Sequence, residues 1–181
     1  MRSRSRLAVL IAAFASTVPV ANWIIGNVGT SCTDGVCVIP TGFGYYAPSG
    51  VLVVGSALVL RDMVQEAGGI RAALLAIGIG GVLSWLVAPQ SLVLASVIAF
   101  LLAELADLAV YTPLRKRRLG LAVLASGAVG SIFDSAVFLL VAFGSLQFIE
   151  GQILGKLWMS IAAMPFLLVF RNARNAGGNN A

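Results

Sequence analysis

The sequence predicts an all-α membrane protein, a compact bundle of six transmembrane helices with both ends on the cytoplasmic side. Three observations predict it. The first is composition: of 181 residues, 59% are hydrophobic and only 10% are charged, with a mean hydropathy of +0.97, whereas a soluble domain is about a quarter charged. The second is length patterning, because six apolar runs of helix length can be read at 7–25, 43–60, 72–88, 91–110, 119–143 and 152–170, each close to the ~20 residues that span a bilayer. None alternates with the period of two that a membrane barrel strand needs. The third is the placement of cations. With the N-terminus inside, Arg2, Arg4, Arg6, Arg61, Arg71, Arg115, Lys116, Arg117, Arg118, Arg171 and Arg174 fall on the cytoplasmic side and only Lys156 lies near the outside, as the positive-inside rule requires.

In chain order, the first run follows a basic MRSRSR head and imitates a secretory signal peptide. Its apolar stretch continues through Asn22 and Trp23 to Ile25, so it is read as a retained first helix. Cys32 and Cys37 come next, in a loop that the charge rule places outside, where an oxidising compartment permits a disulfide. Asp34 and Gly35 between them are turn-forming residues. The second run is interrupted at its start by Pro48, Ser49 and Gly50, which fits either a late-starting or broken helix or a loop that ends there. The glycines of GIGIGG and SGAVG let helices approach closely. Residues 1–171 form one integral membrane domain, and the Gly- and Asn-rich tail 172–181 has no apolar face to bury and is expected to be disordered.

Composition also excludes chemistries. The chain has no histidine and two cysteines, too few for a His-based zinc site, a Ser-His-Asp triad or a Cys-His pair. It has no GxxxxGK[ST] segment to cradle a nucleotide triphosphate. No metal, cofactor or enzymatic activity is expected. The net charge of +5 sits in small clusters beside apolar runs, which writes membrane topology rather than a nucleic-acid surface.

The informative residues are those that hydrocarbon rejects. Glu104, Asp107 and Tyr111 follow one another at i, i+3 and i+7 and share a helix face. Asp134 interrupts the fifth run, with Ser131, Ser135 and Phe138 on nearby faces, and Lys156 lies toward the outer end of the sixth. Arg61, Asp62 and Glu66 close the second run. Helical rise puts Glu104 and Asp134 at similar depth, so that they can line one cavity. Structural pairing competes with that reading: Lys156 with Asp134 and Arg115 with Asp107, or Lys156 snorkelling to the interface. Buried ion pairs are poor value for stability, and ionisable residues within spans favour a polar site.

The segments ANWIIGNVG, APSGVLVVGSALVLRD, AELADLAVYTPLR, VGSIFDSAVF and GQILGKLWM resemble the queuosine-precursor transporter family, formerly called vitamin uptake transporters. The likeness runs over most of the chain; the external cysteine loop departs from it. The resemblance implies a six-helix inner-membrane importer of 7-deazaguanine derivatives. It carries over Arg61, Asp62, Glu104, Asp107, Tyr111, Pro113, Asp134, Ser135, Phe138, Gly155 and Lys156 as site residues, with Asn22 and Trp23 from the first segment. A deazapurine offers a flat face for stacking on Trp23, Trp158 or Phe138, and a guanine-like edge whose N–H donors match a carboxylate such as Asp134 or Glu104. Its partners are then a small molecule and the lipid bilayer, with a homodimer or an energising ATPase partner left open. The alternatives are a substrate-binding membrane subunit of a multi-component uptake system, and a membrane enzyme using the carboxylates as acid and base.

Overall fold

A computed structural model describes residues 2–33, 35–90 and 92–178, with side chains described from residue 5 to residue 173. Its elements in order are α1 (Arg2–Asn27), β1 (Ser31–Thr33), β2 (Val36–Gly42), β3 (Tyr45–Pro48), α2 (Val51–Val87), α3 (Val93–Leu114), α4 (Leu119–Phe143) and α5 (Ile149–Gly178). Five helices among the described residues are long and apolar enough to cross a membrane, and the chain is a multi-pass membrane protein.

Six separate helices were expected, and the difference lies in α2. The second and third apolar runs are continuous in one 37-residue helix whose regular geometry is interrupted inside at Gly69, with φ 76° and ψ −175°. A side chain resists that conformation and glycine does not. The break turns the helix back on itself. Val54 and Ser84 line the same cavity, although a straight helix would hold them about 45 Å apart. Ala57 and Ala76, from the two arms, likewise share a core cluster with Phe14 of α1. The helix runs through Gly69 with no loop between the arms, and Arg61, counted above among the cytoplasmic cations, is fully buried at 0% exposure. The orientation bias therefore rests on the remaining cations.

The loop after α1 is not irregular. It is a three-stranded antiparallel meander in the order β1-β2-β3, which an all-helical reading did not anticipate. Short β-branched stretches there alternate with turns, and Gly42, Phe43 and Gly44 form the β2–β3 turn with φ of 105°, 53° and 81°. Cys32 and Cys37 pair directly across β1 and β2 and are joined by a disulfide. Asp34, called a turn residue above, lies outside the described residues; Gly35 has the expected positive φ of 77°. The second run consequently starts late: residues 43–48 belong to the turn and β3, and the helix begins at Val51. Ser49 locks this junction, its N–H donating to Cys37 O at 2.9 Å and its Oγ to Ile24 O at 3.0 Å.

At the other end, α5 runs through the first part of the tail expected to be disordered, as far as Gly178. Inside the bundle, α3 packs mainly on α4 and α1 on α2. Gly130 of α4 permits the first of these contacts, because a Cβ there would lie 3.1 Å from Asp107 Cβ.

Candidate functional site

Two polar centres lie inside the bundle, and Glu104 belongs to both. The first surrounds Arg61 on the N-terminal arm of α2. Its Nε donates to Glu104 Oε2 at 3.2 Å, and its Nη2 donates to Asp107 Oδ1. Its Nη1 donates to Gln65 Oε1 at 3.3 Å and lies 2.8 Å from Asp62 Oδ1. Each guanidinium nitrogen thus faces a different carboxylate, a division that the planar fork of arginine allows and a lysine ammonium does not. The Arg61 Cζ also stands 5.6 Å from the centroid of Tyr111, within cation–π range. Around this core, Tyr111 Oη donates to Glu66 Oε1 at 3.2 Å and Arg115 Nε pairs with the same oxygen at 2.8 Å. Gln65 Nε2 donates to Thr112 Oγ1 at 2.9 Å.

The helical spacing explains the assembly. Arg61, Asp62, Gln65 and Glu66 occupy one face of α2, while Glu104, Asp107 and Tyr111 occupy the buried face of α3 beside Ala99, Ala103 and Leu108. Apposing the two faces lets the charges satisfy one another away from lipid.

The second centre is a cavity enclosed by α1, both arms of α2, α3, α4 and α5, with Pro48 and Gly50 of the β3–α2 junction in its wall. Its volume is about 110 Å³, smaller than the ~300–1,000 Å³ of typical small-molecule sites. The wall is mostly apolar, with polar groups at chosen points. Lys156 Nζ pairs with Asp134 Oδ2 at 2.6 Å, donates to Gln152 Oε1 at 2.7 Å and to Ser135 Oγ at 2.8 Å. Its side chain is only 1% exposed, so it does not snorkel to the interface. Glu104, Asn22, Thr17, Ser84 and Ser96 complete the polar lining, and Phe100 and Phe138 supply aromatic surface.

Of the residues singled out in the sequence, Asn22, Glu104, Asp134, Phe138 and Lys156 meet at this cavity, and Ser135 stands behind it as a partner of Lys156. Arg61, Asp62, Asp107 and Tyr111 do not line it; they form the adjoining cluster. Trp23 is 61% exposed and Trp158 49% exposed, and neither lines the cavity, whose aromatic residues are Phe100 and Phe138. The expected Arg115–Asp107 pair is replaced by Arg115–Glu66 and Arg61–Asp107. Phe100, Gln65 and Gln152 were missed. Gln152 sits four residues before Lys156, the spacing that puts two side chains on one helix face, and that signal could have found it. Phe100 had no such signal within its apolar run.

One comparison with known proteins falls on these same helices. Residues 84–170 match the family model described as "Putative vitamin uptake transporter". The match takes in the end of α2, all of α3 and α4, and α5 past Lys156, so every cavity residue from Ser84 onward lies inside it. It supports the family name and the reading of a membrane uptake transporter with a small-molecule substrate, and it points to no catalytic family. No curated protein and no solved structure matches the chain.

Proposed function

We propose that this protein is an importer of queuosine precursors of the 7-deazaguanine class, or of a related small heterocycle, residing in the cell's inner membrane with six crossings and both ends cytoplasmic. The observation that carries the reading is the cavity. A flat heterocycle with an amidine-like edge needs acceptor oxygens for its N–H groups, a donor for its carbonyl and an aromatic surface for its face. Glu104 and Asp134 provide the acceptors, the Asn22 and Gln152 amides provide donors, and Phe100 and Phe138 provide the surface. Six crossings are supported by the return of α2 at Gly69, which gives each arm 18 residues of helix on either side of the break, close to a bilayer span. Orientation is supported by the exposed Lys116, Arg117 and Arg118 between α3 and α4.

The test is uptake of labelled 7-cyano-7-deazaguanine and 7-aminomethyl-7-deazaguanine by cells that lack their own synthesis and import of these compounds. Cells expressing the protein should accumulate label, and unlabelled precursor should compete. Uptake equal to that of empty cells, with the protein shown to be abundant in the membrane, would refute the substrate class.

A further inference from the structure

We propose that the Arg61 cluster is a proton-binding centre, and that a proton held there on Asp107 or Glu104 travels with the substrate. The proposal rests on the transport reading above and goes beyond it by naming the coupling ion and its seat. Its first ground is charge. Three buried carboxylates, Asp62, Glu104 and Asp107, contact one guanidinium, so the fully ionised group carries two unbalanced negative charges inside the bundle. Among the described residues no neighbouring cation is available to offset them. On α5 Lys156 is taken by Asp134 of α4, and Arg115 at the end of α3 is taken by Glu66 of α2. Tyr111 brings a neutral hydroxyl, already given to Glu66, and α1 contributes only Thr17 and Asn22 to the cavity wall. Like charges that cannot both be solvated share protons instead.

The second ground is a single atom. Asp107 is 0% exposed, and its Oδ2 carries no hydrogen bond in the structure; the polar group beside it is the Ser126 hydroxyl, whose other acceptor, Val123 O, is 3.5 Å away. A turn of that hydroxyl toward an ionised Oδ2 supplies one donor but leaves the negative charge in a dry interior, which is costly. A proton on Oδ2 removes the charge itself, and the carboxyl then donates to Ser126 Oγ, which has lone pairs to accept it. A metal cation fits less well: the guanidinium occupies the point on which the three carboxylates converge, and no group of three acidic residues among the described ones has metal-holding geometry.

The third ground is connection. Among the described residues, Glu104 is the one that both ion-pairs with Arg61 and lines the cavity. A proton passed to Glu104 from a hydronium ion in the cavity breaks one O–H bond of the hydronium, forms one on the carboxylate and leaves a water molecule behind. The neutral carboxyl then holds Arg61 less tightly, and Arg61 shifts its charge toward Asp62 and Asp107. A substrate N–H that engages Glu104 draws on the same oxygens, so substrate and proton occupancy are linked through this one side chain.

The experiment uses the full chain in liposomes and has two readouts. Infrared spectra of the substrate-free protein should show a protonated-carboxyl C=O band at neutral pH that shifts in D2O and is weakened in Asp107→Asn or, if that variant does not fold, in Glu104→Gln. Absence of any such band in the wild type overturns the proposal, whatever the substrate proves to be. For transport, an acid-outside gradient of one pH unit, with the membrane potential clamped at zero, should accumulate labelled 7-cyano-7-deazaguanine up to about tenfold for each proton carried, with matching acidification of an internal dye. Accumulation that ignores the pH gradient, or follows a sodium gradient, overturns the coupling. A probe that is not transported at all counts against the substrate reading, and the infrared band then decides the proton site alone.

Discussion

Replacing Arg61 with lysine keeps the charge and removes the fork, and the structure sets the scale of the loss. The three guanidinium nitrogens face Glu104, Asp107 and Asp62, and Nη1 also donates to Gln65. A lysine ammonium at the end of a flexible stem cannot reach all three directions at once, so at least one carboxylate and the Gln65 oxygen lose their donor. Hydrogen bonds to charged groups are worth about 1.5–3 kcal/mol each, and the contact with the Tyr111 ring adds roughly 0.5–2 kcal/mol. The sum, about 3.5–8 kcal/mol, is a large part of the stability of an ordinary domain. For a chain of this length each kcal/mol moves the midpoint by about 2–4 °C, so Arg61→Lys should lower the melting temperature by on the order of 10 °C. Thermal melting of the detergent-purified protein, followed by size exclusion, measures this directly. Adding Asp62→Asn should recover part of the loss, because one of the carboxylates no longer needs a cation. If Arg61→Lys melts within about 2 °C of the wild type, α2 and α3 are not held together by this cluster and the account of it is wrong.

Asp134→Asn keeps the shape and one acceptor for Lys156, whose other contacts to Gln152 and Ser135 remain, so it should reach normal membrane abundance and lose uptake of the deazaguanine probes. Combining it with Lys156→Met removes the unpaired ammonium as well; recovery of both abundance and uptake would mean that the pair only holds helices together. Cys32→Ser with Cys37→Ser opens a six-residue ring and should cost about 2 kcal/mol on chain-entropy grounds, read as faster amide exchange in the β1–β2 hairpin with uptake retained. In the wild type, thiol labelling from outside should appear only after reduction. Reporter fusions at Gly69, in the Arg115–Arg118 segment and at the C-terminus should all report the cytoplasm, and an external signal at Gly69 alone would mean that α2 does not cross twice.

The two polar centres divide the labour that the sequence lumps together. Glu104 and Asp107 are one helical turn apart on α3, and from spacing alone they look equivalent. In the bundle Glu104 reaches the cavity edge, and Asp107 lies deeper, against Gly130 of α4 and the Arg61 guanidinium. The cavity therefore abuts a charged cluster of which Glu104 alone, among the described residues, belongs to the cavity wall. That geometry lets a change of charge in the cluster alter a wall residue of the cavity without any movement of the other lining side chains.

Membrane character, the helix-length runs and the inward face of Glu104, Asp107 and Tyr111 were determined by the sequence alone, because they depend on hydropathy and helical period, which are local properties of the chain. The run 119–143 coincides with α4 for that reason. The double glycine at Gly68 and Gly69 was visible but its meaning was not, since only packing of Ala57 and Ala76 on Phe14 turns a permissive backbone into a reversal. Arg61 shows the same limit. A cation at the end of an apolar run reads as a cytoplasmic anchor, and only the apposition of three carboxylates from α2 and α3 makes burial affordable. Trp23 and Trp158 illustrate the converse, because both are aromatic residues beside site residues in sequence, yet helix rotation sends them outward. Periodicity tells which residues share a face; which face of another helix stands opposite is set by the tertiary packing, and that opposition decides what is cavity, what is cluster and what is lipid surface.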